Sequence, residues 1–223
     1  MTWDQRYRAA IETGQKLFSD EPALLVVQAL DSMSGQPQDS HSQPLLAIDV
    51  GAGEGRHSKE LARRGYSVIA LESAQSLVEH HRQTPQNHSH IGKETDISSR
   101  IDWTFGDVRT YMPSQLVDLV LVAYLHQPEF SLPQQLANID TWIKPGGQIV
   151  LVGHSRKQAG RDVGGPPDPK TLWDVAELRA ELHRLGYFIS RAEDVERTDV
   201  ERRSDAGRRD KPVDAIIVAQ KHD

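Results

Sequence analysis

Apolar positions in this chain fall into short blocks separated by segments of a different rhythm. Leu45–Val50, Tyr66–Leu71, Ile101–Phe105, Val117–Ala123 and Gln148–Val152 are compact, mostly apolar runs rich in β-branched residues. Such runs are expected of strands covered on both faces. Residues 54–64, 74–83 and 132–143 carry helical spacing instead. Arg63 and Arg64 fall in the last turn of the first of these, Gly65 stands where a left-handed cap belongs, and Ser73 is placed to cap the second. Strand–helix alternation of this kind predicts a parallel sheet with crossover helices. Further on, a connection over 154–170 looks mobile and a helix is expected over 172–185. Two strands follow at 187–190 and 214–219, with no helix between them, so they should pair antiparallel across a polar excursion from Glu193 to Lys211. The fold class is therefore α/β, a doubly wound, mostly parallel seven-stranded sheet with an antiparallel last strand. Residues 1–44 read as a helical lead-in packed on the core. It contains an apolar helix over 23–30 and a polar linker over 32–44, and a domain over 45–223 completes a single unit.

The first strand ends in an unusual way. Asp49-Val50-Gly51-Ala52-Gly53-Glu54-Gly55-Arg56 passes from an acid through three alternate glycines into a helix, a bend where a ligand can approach bare backbone. A second acid, Glu72, closes the second strand. An acid at that tip beside a glycine turn describes a site for a ribose-bearing cofactor. A dinucleotide fingerprint would need its third glycine where Arg56 stands, and a phosphate-cradling loop would need Lys followed by Ser or Thr where Arg56-His57 stand.

The remaining pattern, acid-x-Gly-x-Gly-x-Gly, resembles the first motif of class I S-adenosylmethionine-dependent methyltransferases. The resemblance implies that Asp49 with Gly51, Ala52, Gly53 and Gly55 holds the methionyl part of the cofactor, and that Glu72, with Ser73 beside it, binds both ribose hydroxyls. It implies that Asp107, just after the third strand, lies near the adenine amino group with Val108 next to it, and that Ala123 closes the site from the fourth strand. In that family the last of seven strands inserts antiparallel beside the fifth, and Ile143-Lys144-Pro145-Gly146-Gly147 looks like the family's turn into the fifth strand. Trp3-Asp4-Gln5-Arg6-Tyr7 and Val122-Ala123-Tyr124-Leu125-His126 resemble bacterial small-molecule members of the tellurite-resistance and thiopurine groups. Ala123-Tyr124-Leu125-His126 departs from the Asn-Pro-Pro-Tyr of enzymes that methylate the amino groups of adenine or glutamine.

Composition narrows the substrate. A formal charge of −6 opposes a polyanion, so a small-molecule acceptor is expected rather than nucleic acid. No stretch reaches the length of a membrane span, and Met1–Arg6 lacks an apolar signal region, so a cytoplasmic location is expected. The chain has no cysteine, which excludes disulfides, thiolate zinc sites and a cysteine nucleophile.

Methyl transfer from a sulfonium asks for proximity and alignment more than for a dedicated acid or base. Candidate catalytic residues are His126 and Tyr124, at the end of the fourth strand. For His126, proton acceptance and a plain hydrogen bond to a neighbouring loop are both open. For Tyr124, so are acid and pocket wall. Trp3 and Tyr7 either fold over the ligand or anchor the first helix. Arg156 and Arg161 belong to a lid that attracts an anionic acceptor, or to an ordinary connection. His80, His81, His88 and His90 lack carboxylates at fixed spacing, and no metal site is expected. Two further functional readings stay open: a module that binds the cofactor without catalysis, and a nicotinamide-dependent oxidoreductase.

Overall fold

The chain was described from a computed structural model over residues 1–33, 45–84, 97–197 and 209–223. Two helices come first, α1 (Trp3–Thr13) and α2 (Leu24–Asp31). Strands and helices then alternate: β1 (Leu46–Val50), α3 (Arg56–Arg63), β2 (Ser67–Glu72), α4 (Gln75–Gln83), β3 (Ile101–Phe105), β4 (Val117–Ala123), α5 (Leu132–Asp140), β5 (Ile143–His154) and α6 (Val175–Arg184). β6 (Tyr187–Glu196) and β7 (Val213–Lys221) close the described chain. The seven strands form one sheet in the order β3-β2-β1-β4-β5-β7-β6. Pairing is parallel from β3 across to β5, whereas β7 lies antiparallel to both β5 and β6.

The apolar runs look continuous because the sheet is covered on both sides. Ile48, Val50, Val120, Val122, Ile149 and Leu151 face Leu132, Leu136 and Ile139 of α5 and Leu178 and Leu182 of α6. Their neighbours Ala47, Leu119, Leu121, Val150 and Val152 face Leu25, Val26 and Leu30 of α2 and Leu61 of α3. One period-two pattern thus serves two helical layers. The apolar 23–30 segment joins the second layer.

Several boundaries differ from the sequence expectation. Lys144-Pro145-Gly146-Gly147 lies inside β5 as an irregularity, with Val117 paired to Ile143 and the register shifting before Leu119 meets Gln148. β6 runs on to Glu196, so part of the expected polar excursion is strand; of the rest, residues 198–208 lie outside the described residues. Ser73 does not cap α4. Its hydroxyl turns toward Glu72 Oε1 at 3.4 Å, and the helix N-terminus is served by Asp4 of α1, whose Oδ1 accepts from Ser76 N–H at 2.9 Å. The 154–170 connection is tied to the sheet. Ser155 bridges to Trp173, and its N–H donates to Val213 O at 2.9 Å.

The chain runs outward from β1 to β3 and returns to β4 on the other side of β1. Parallel α/β sheets open a crevice at such a reversal, beyond the carboxyl ends of the two strands. Here those ends are Gly51 and Tyr124.

Candidate active site

Three glycines shape the bend after β1. Gly51, Gly53 and Gly55 have φ of +70°, +54° and +81°, a region L side chains rarely enter. Each is also closed in by a different neighbour. A methyl group at Gly51 would lie 3.0 Å from Leu125 Cδ1, and one at Gly53 2.9 Å from the Tyr7 hydroxyl. At Gly55 it would lie 2.6 Å from the ring of Trp103. The first two glycines therefore let other elements approach the bend from the cavity side. The third lets the start of α3 settle on β3.

Two cavities meet at this bend. The first is lined by Gly51, Ala52, Gly53, Glu72, Ser73, Ala123, Tyr124 and His126 from the sheet ends, with Trp3 and Tyr7 from α1. The second is lined by Gly106, Asp107, Val108, Arg109 and Phe130. Gly51, Ser73, Leu125 and Gln127 border both. Of the residues expected at a cofactor, Asp49 and Gly55 line neither cavity. Asp49 is buried behind the bend and accepts a hydrogen bond from the Ser58 hydroxyl of α3 at 2.6 Å. Burial pushes its carboxyl up to about 6, opposed by the Ser58 hydrogen bond. Its place is to join β1 to α3.

Glu72 stands at the cavity edge with both oxygens engaged. Oε2 accepts from Gly53 N–H at 2.9 Å and Oε1 from Ala74 N–H at 2.8 Å. Oε2 keeps a further lone pair for a hydroxyl donor, while the second lone pair of Oε1 faces the Ser73 hydroxyl at 3.4 Å. Asp107 is held by Arg109, whose backbone N–H and Nε both donate to Oδ1 at 2.9 Å. These hydrogen bonds hold its carboxyl below the usual range.

His126 and Tyr124 are committed to the protein. His126 Nε2 accepts from His154 N–H at 2.9 Å, which leaves Nδ1 to carry the proton it donates to Thr171 O at 2.7 Å. Burial, helped by His154, lowers its pKa to about 3. Of its two open readings, this geometry is the hydrogen-bonding one. Tyr124 has φ of +56° and donates its hydroxyl to the fully buried Asp214 at 2.7 Å, so its ring faces the cavity while its polar end faces away. Arg197 Nε lies 3.1 Å from the same Asp214 oxygen.

Arg156 and Arg161 reach neither cavity, contrary to a lid that gathers anions. Arg156 pairs with Asp174 and Glu177, and Arg161 with Glu196 and the Lys211 carbonyl. Their partners come from the start of α6, the end of β6 and the segment before β7, beyond the local charge pattern. His81 stacks on Trp103 at 3.6 Å, while His88 and His90 lie outside the described residues. Among the described residues, no group of three or more His, Asp or Glu is placed to hold a metal, and no helix is long and apolar enough to cross a membrane.

Other lining residues carried weaker signals. Glu54 and Arg56 sit within the glycine motif without a role that spacing assigns. Phe18 and Ser19 arrive from the α1–α2 connection, where nothing local marks them. Glu54 fixes that connection over the bend, its two oxygens accepting from Leu17 and Phe18 N–H at 2.9 Å each. Trp3, Tyr7 and Phe18 form an aromatic edge, with Trp3 5.8 Å from Tyr7 and 6.0 Å from Phe18. Burial first, then Glu72 and Glu54, raises the Tyr7 pKa, so its hydroxyl stays protonated.

Residues 47–147 match the family described as a methyltransferase domain. The biotin biosynthesis bifunctional protein BioHC of Cellvibrio japonicus is 31% identical over 106 residues, which make up 47% of this chain and 18% of that protein. This chain thus spans less than a fifth of that relative's length. Among solved structures, an S-adenosylmethionine-dependent methyltransferase from Mesorhizobium loti superposes with a TM-score of 0.62 at 18% identity, over 89% of this chain and 99% of its own. TehB from Haemophilus influenzae gives 0.60 at 18% identity, over 88% of this chain and 61% of its own. The [4+2]-cyclase SpnF gives 0.60 at 17% identity, over 89% and 80%, so the fold also serves a protein named for another reaction. The sheet order, the glycine bend and the matched segment agree: residues 47–147 match a methyltransferase domain, and the chain has the fold of solved S-adenosylmethionine-dependent methyltransferases.

Proposed function

We propose that this chain binds S-adenosylmethionine across its two cavities and methylates a small-molecule acceptor. The supporting observation is that two cavities meet at the glycine bend, with Glu72 at the edge of the first and Asp107 in the second. An extended nucleoside fits such a path. Its adenine would lie by Asp107, Val108 and Phe130, its ribose by Glu72, and its amino-acid end by Gly51 and Gly53. Bound there, the cofactor would supply a methyl group already activated by its sulfonium charge. The chain supplies the rest. Gly51 and Gly53 leave backbone open to contact, Glu72 offers acceptor lone pairs to a diol, and Trp3, Tyr7 and Tyr124 keep water from one side of the cavity.

The commitments of His126 and Tyr124 favour an acceptor that needs no base from the protein. His126 has both ring nitrogens in hydrogen bonds, and Tyr124 presents a ring face. A thiolate, selenide or telluride anion meets that condition. Release of labelled methyl across thiol, amine, phenol and metalloid acceptors tests it; transfer to none of them would leave a binding module. Calorimetry with S-adenosylhomocysteine and with NAD separates the cofactors, and binding of NAD alone would overturn the reading. Glu72→Ala should weaken S-adenosylhomocysteine at least about tenfold, since a diol loses a charged acceptor. Unchanged affinity would remove Glu72 from the ribose.

A further inference from the structure

Asp214 of β7 is fully buried, and it stands behind the wall of the first cavity. Strand register brings it there. β7 pairs with β5 so that Asp214 lies opposite His154, and the end of β4 is held to β5 by the Tyr124 N–H, which donates to Val152 O at 2.7 Å. Side chains alternate along a strand. Asp214 therefore shares a face with Ile216 and Val218, and His154 with Val150 and Val152, the face covered by α2 and α3. Ala123 already points to that face, so extended backbone at the next residue would carry the Tyr124 ring to the opposite layer. Its φ of +56° turns the ring back, and it packs against the α2 and α3 layer. Among the described residues, no other residue besides glycine has a positive φ.

Three side chains converge on the Asp214 carboxylate. The Tyr124 hydroxyl donates to Oδ2 at 2.7 Å, Arg197 Nε lies 3.1 Å from that oxygen, and His154 Nδ1 lies 3.2 Å from Oδ1. The ring of Tyr124 also meets that of His154 at 5.1 Å and 64°, and Arg56 Cζ lies 5.7 Å over it. A carboxylate taken wholly out of water is a poor way to join strands, because apolar residues of similar volume hold them as well. A buried charge and a strained backbone that meet at one cavity wall point to the shape of the site rather than to stability.

We propose that Asp214 is a positioning residue for the acceptor side of the first cavity. Through the Tyr124 hydroxyl it fixes that ring as a preformed wall, so that the cavity favours an acceptor with a flat apolar or aromatic body. The proposal rests on the methyltransferase reading. A ring fixed in advance spares a ligand the ordering that a loose one would require. Tyr124 supplies the surface, and Asp214 keeps it in a conformation from which an aromatic residue would otherwise relax.

The test uses two thioethers, 5′-methylthioadenosine and 5′-benzylthioadenosine, which share a nucleoside and differ in the group they send into the first cavity. Each is titrated calorimetrically against wild type and variants, with melting temperature as the control for folding. Wild type should prefer the benzyl compound at least about fivefold, from the added ring contact. In Tyr124→Phe the ring stays and the bond to Asp214 goes. The preference should then fall about threefold or more, while 5′-methylthioadenosine changes by less than about twofold. Asp214→Asn retains an oxygen that can accept from Tyr124 and should lose less of the preference. Asp214→Ala retains neither; it should match Tyr124→Phe, and combining the two should add nothing further. If Asp214→Ala does not fold, Tyr124→Phe and Asp214→Asn still decide. An unchanged preference in Tyr124→Phe overturns the proposal. So does an equal loss of both thioethers, because a merely structural role moves them together. Equal binding of the two, or none, by a wild type that holds S-adenosylhomocysteine also overturns it. A wild type that binds neither the thioethers nor S-adenosylhomocysteine is a different result: the cofactor reading fails first, and the proposal falls with it.

Discussion

Tyr124 carries three constraints at once. Its backbone is held at φ +56°, its hydroxyl is given to Asp214, and its ring walls the first cavity. A non-glycine residue in that region costs roughly 1–3 kcal/mol, which the surrounding structure has to offset. Asp214 is fully buried, so removing its hydroxyl partner leaves a charged acceptor poorer by one bond. Tyr124→Phe should therefore lower stability by about 1–3 kcal/mol in urea denaturation, with the aromatic wall intact. A change below about 0.5 kcal/mol would mean that Arg197 and His154, 3.1 and 3.2 Å from the Asp214 oxygens, satisfy the carboxylate without it. Legibility differed sharply among such residues. Gly51, Gly53 and Glu72 announce themselves, because a positive φ and an acid at a strand tip are local properties. The roles of Asp49, His126 and Arg161 depend on Ser58, on Thr171 with His154, and on Glu196, partners that folding alone brings together.

At the scale of elements, α1 is fastened to the carboxyl end of the parallel strands by acids at both ends of the contact. Asp4 caps α4, and Glu54, reaching up from the glycine bend, takes the N–H groups of Leu17 and Phe18. Neither tie spans a helix boundary that local sequence could reveal, which is why Ser73 looked like the cap. Hydrogen bonds from backbone to a carboxylate are worth about 1.5–3 kcal/mol. Much of that loss should appear as local loosening, since the 14–19 connection adds little to the two main layers of the core. Glu54→Ala is expected to speed amide exchange at Leu17 and Phe18 and to weaken S-adenosylhomocysteine several-fold, with a small shift in melting temperature. Unaltered exchange at those amides would show that the aromatic contacts of Trp3 hold the connection without it.

Across the whole molecule, strand order and helix layering followed from apolar periodicity, because a sheet covered on both faces writes itself into continuous runs. The irregular start of β5 and the full length of β6 did not, since both depend on register with neighbouring strands. Buried titratable groups then set the response to acid. His126 is held neutral by burial, with a pKa of about 3 against an ordinary 6.5, and His81, buried against Trp103, is lowered to about 4. The unfolded chain takes up these protons first, so stability should fall as pH drops from about 6.5 toward 3. Asp49, raised to about 6 by burial, works in the opposite sense, and its contribution is lost as pH rises from about 4 to 6. In His126→Asn the amide nitrogen can still donate to Thr171 O while the proton-binding site is gone. Its melting temperature should decline less steeply than wild type between pH 6.5 and 4, and parallel curves would show that His126 is not buried as a neutral ring.

The placement of β7 between β5 and β6 has a consequence for synthesis. While the ribosome is still making residues 213–221, β5 has an open flank and β6 has no strand to pair with. β6 cannot join the sheet until residues 213–221 have cleared the exit tunnel. A translational pause or a bound chaperone would therefore matter most just before that segment appears.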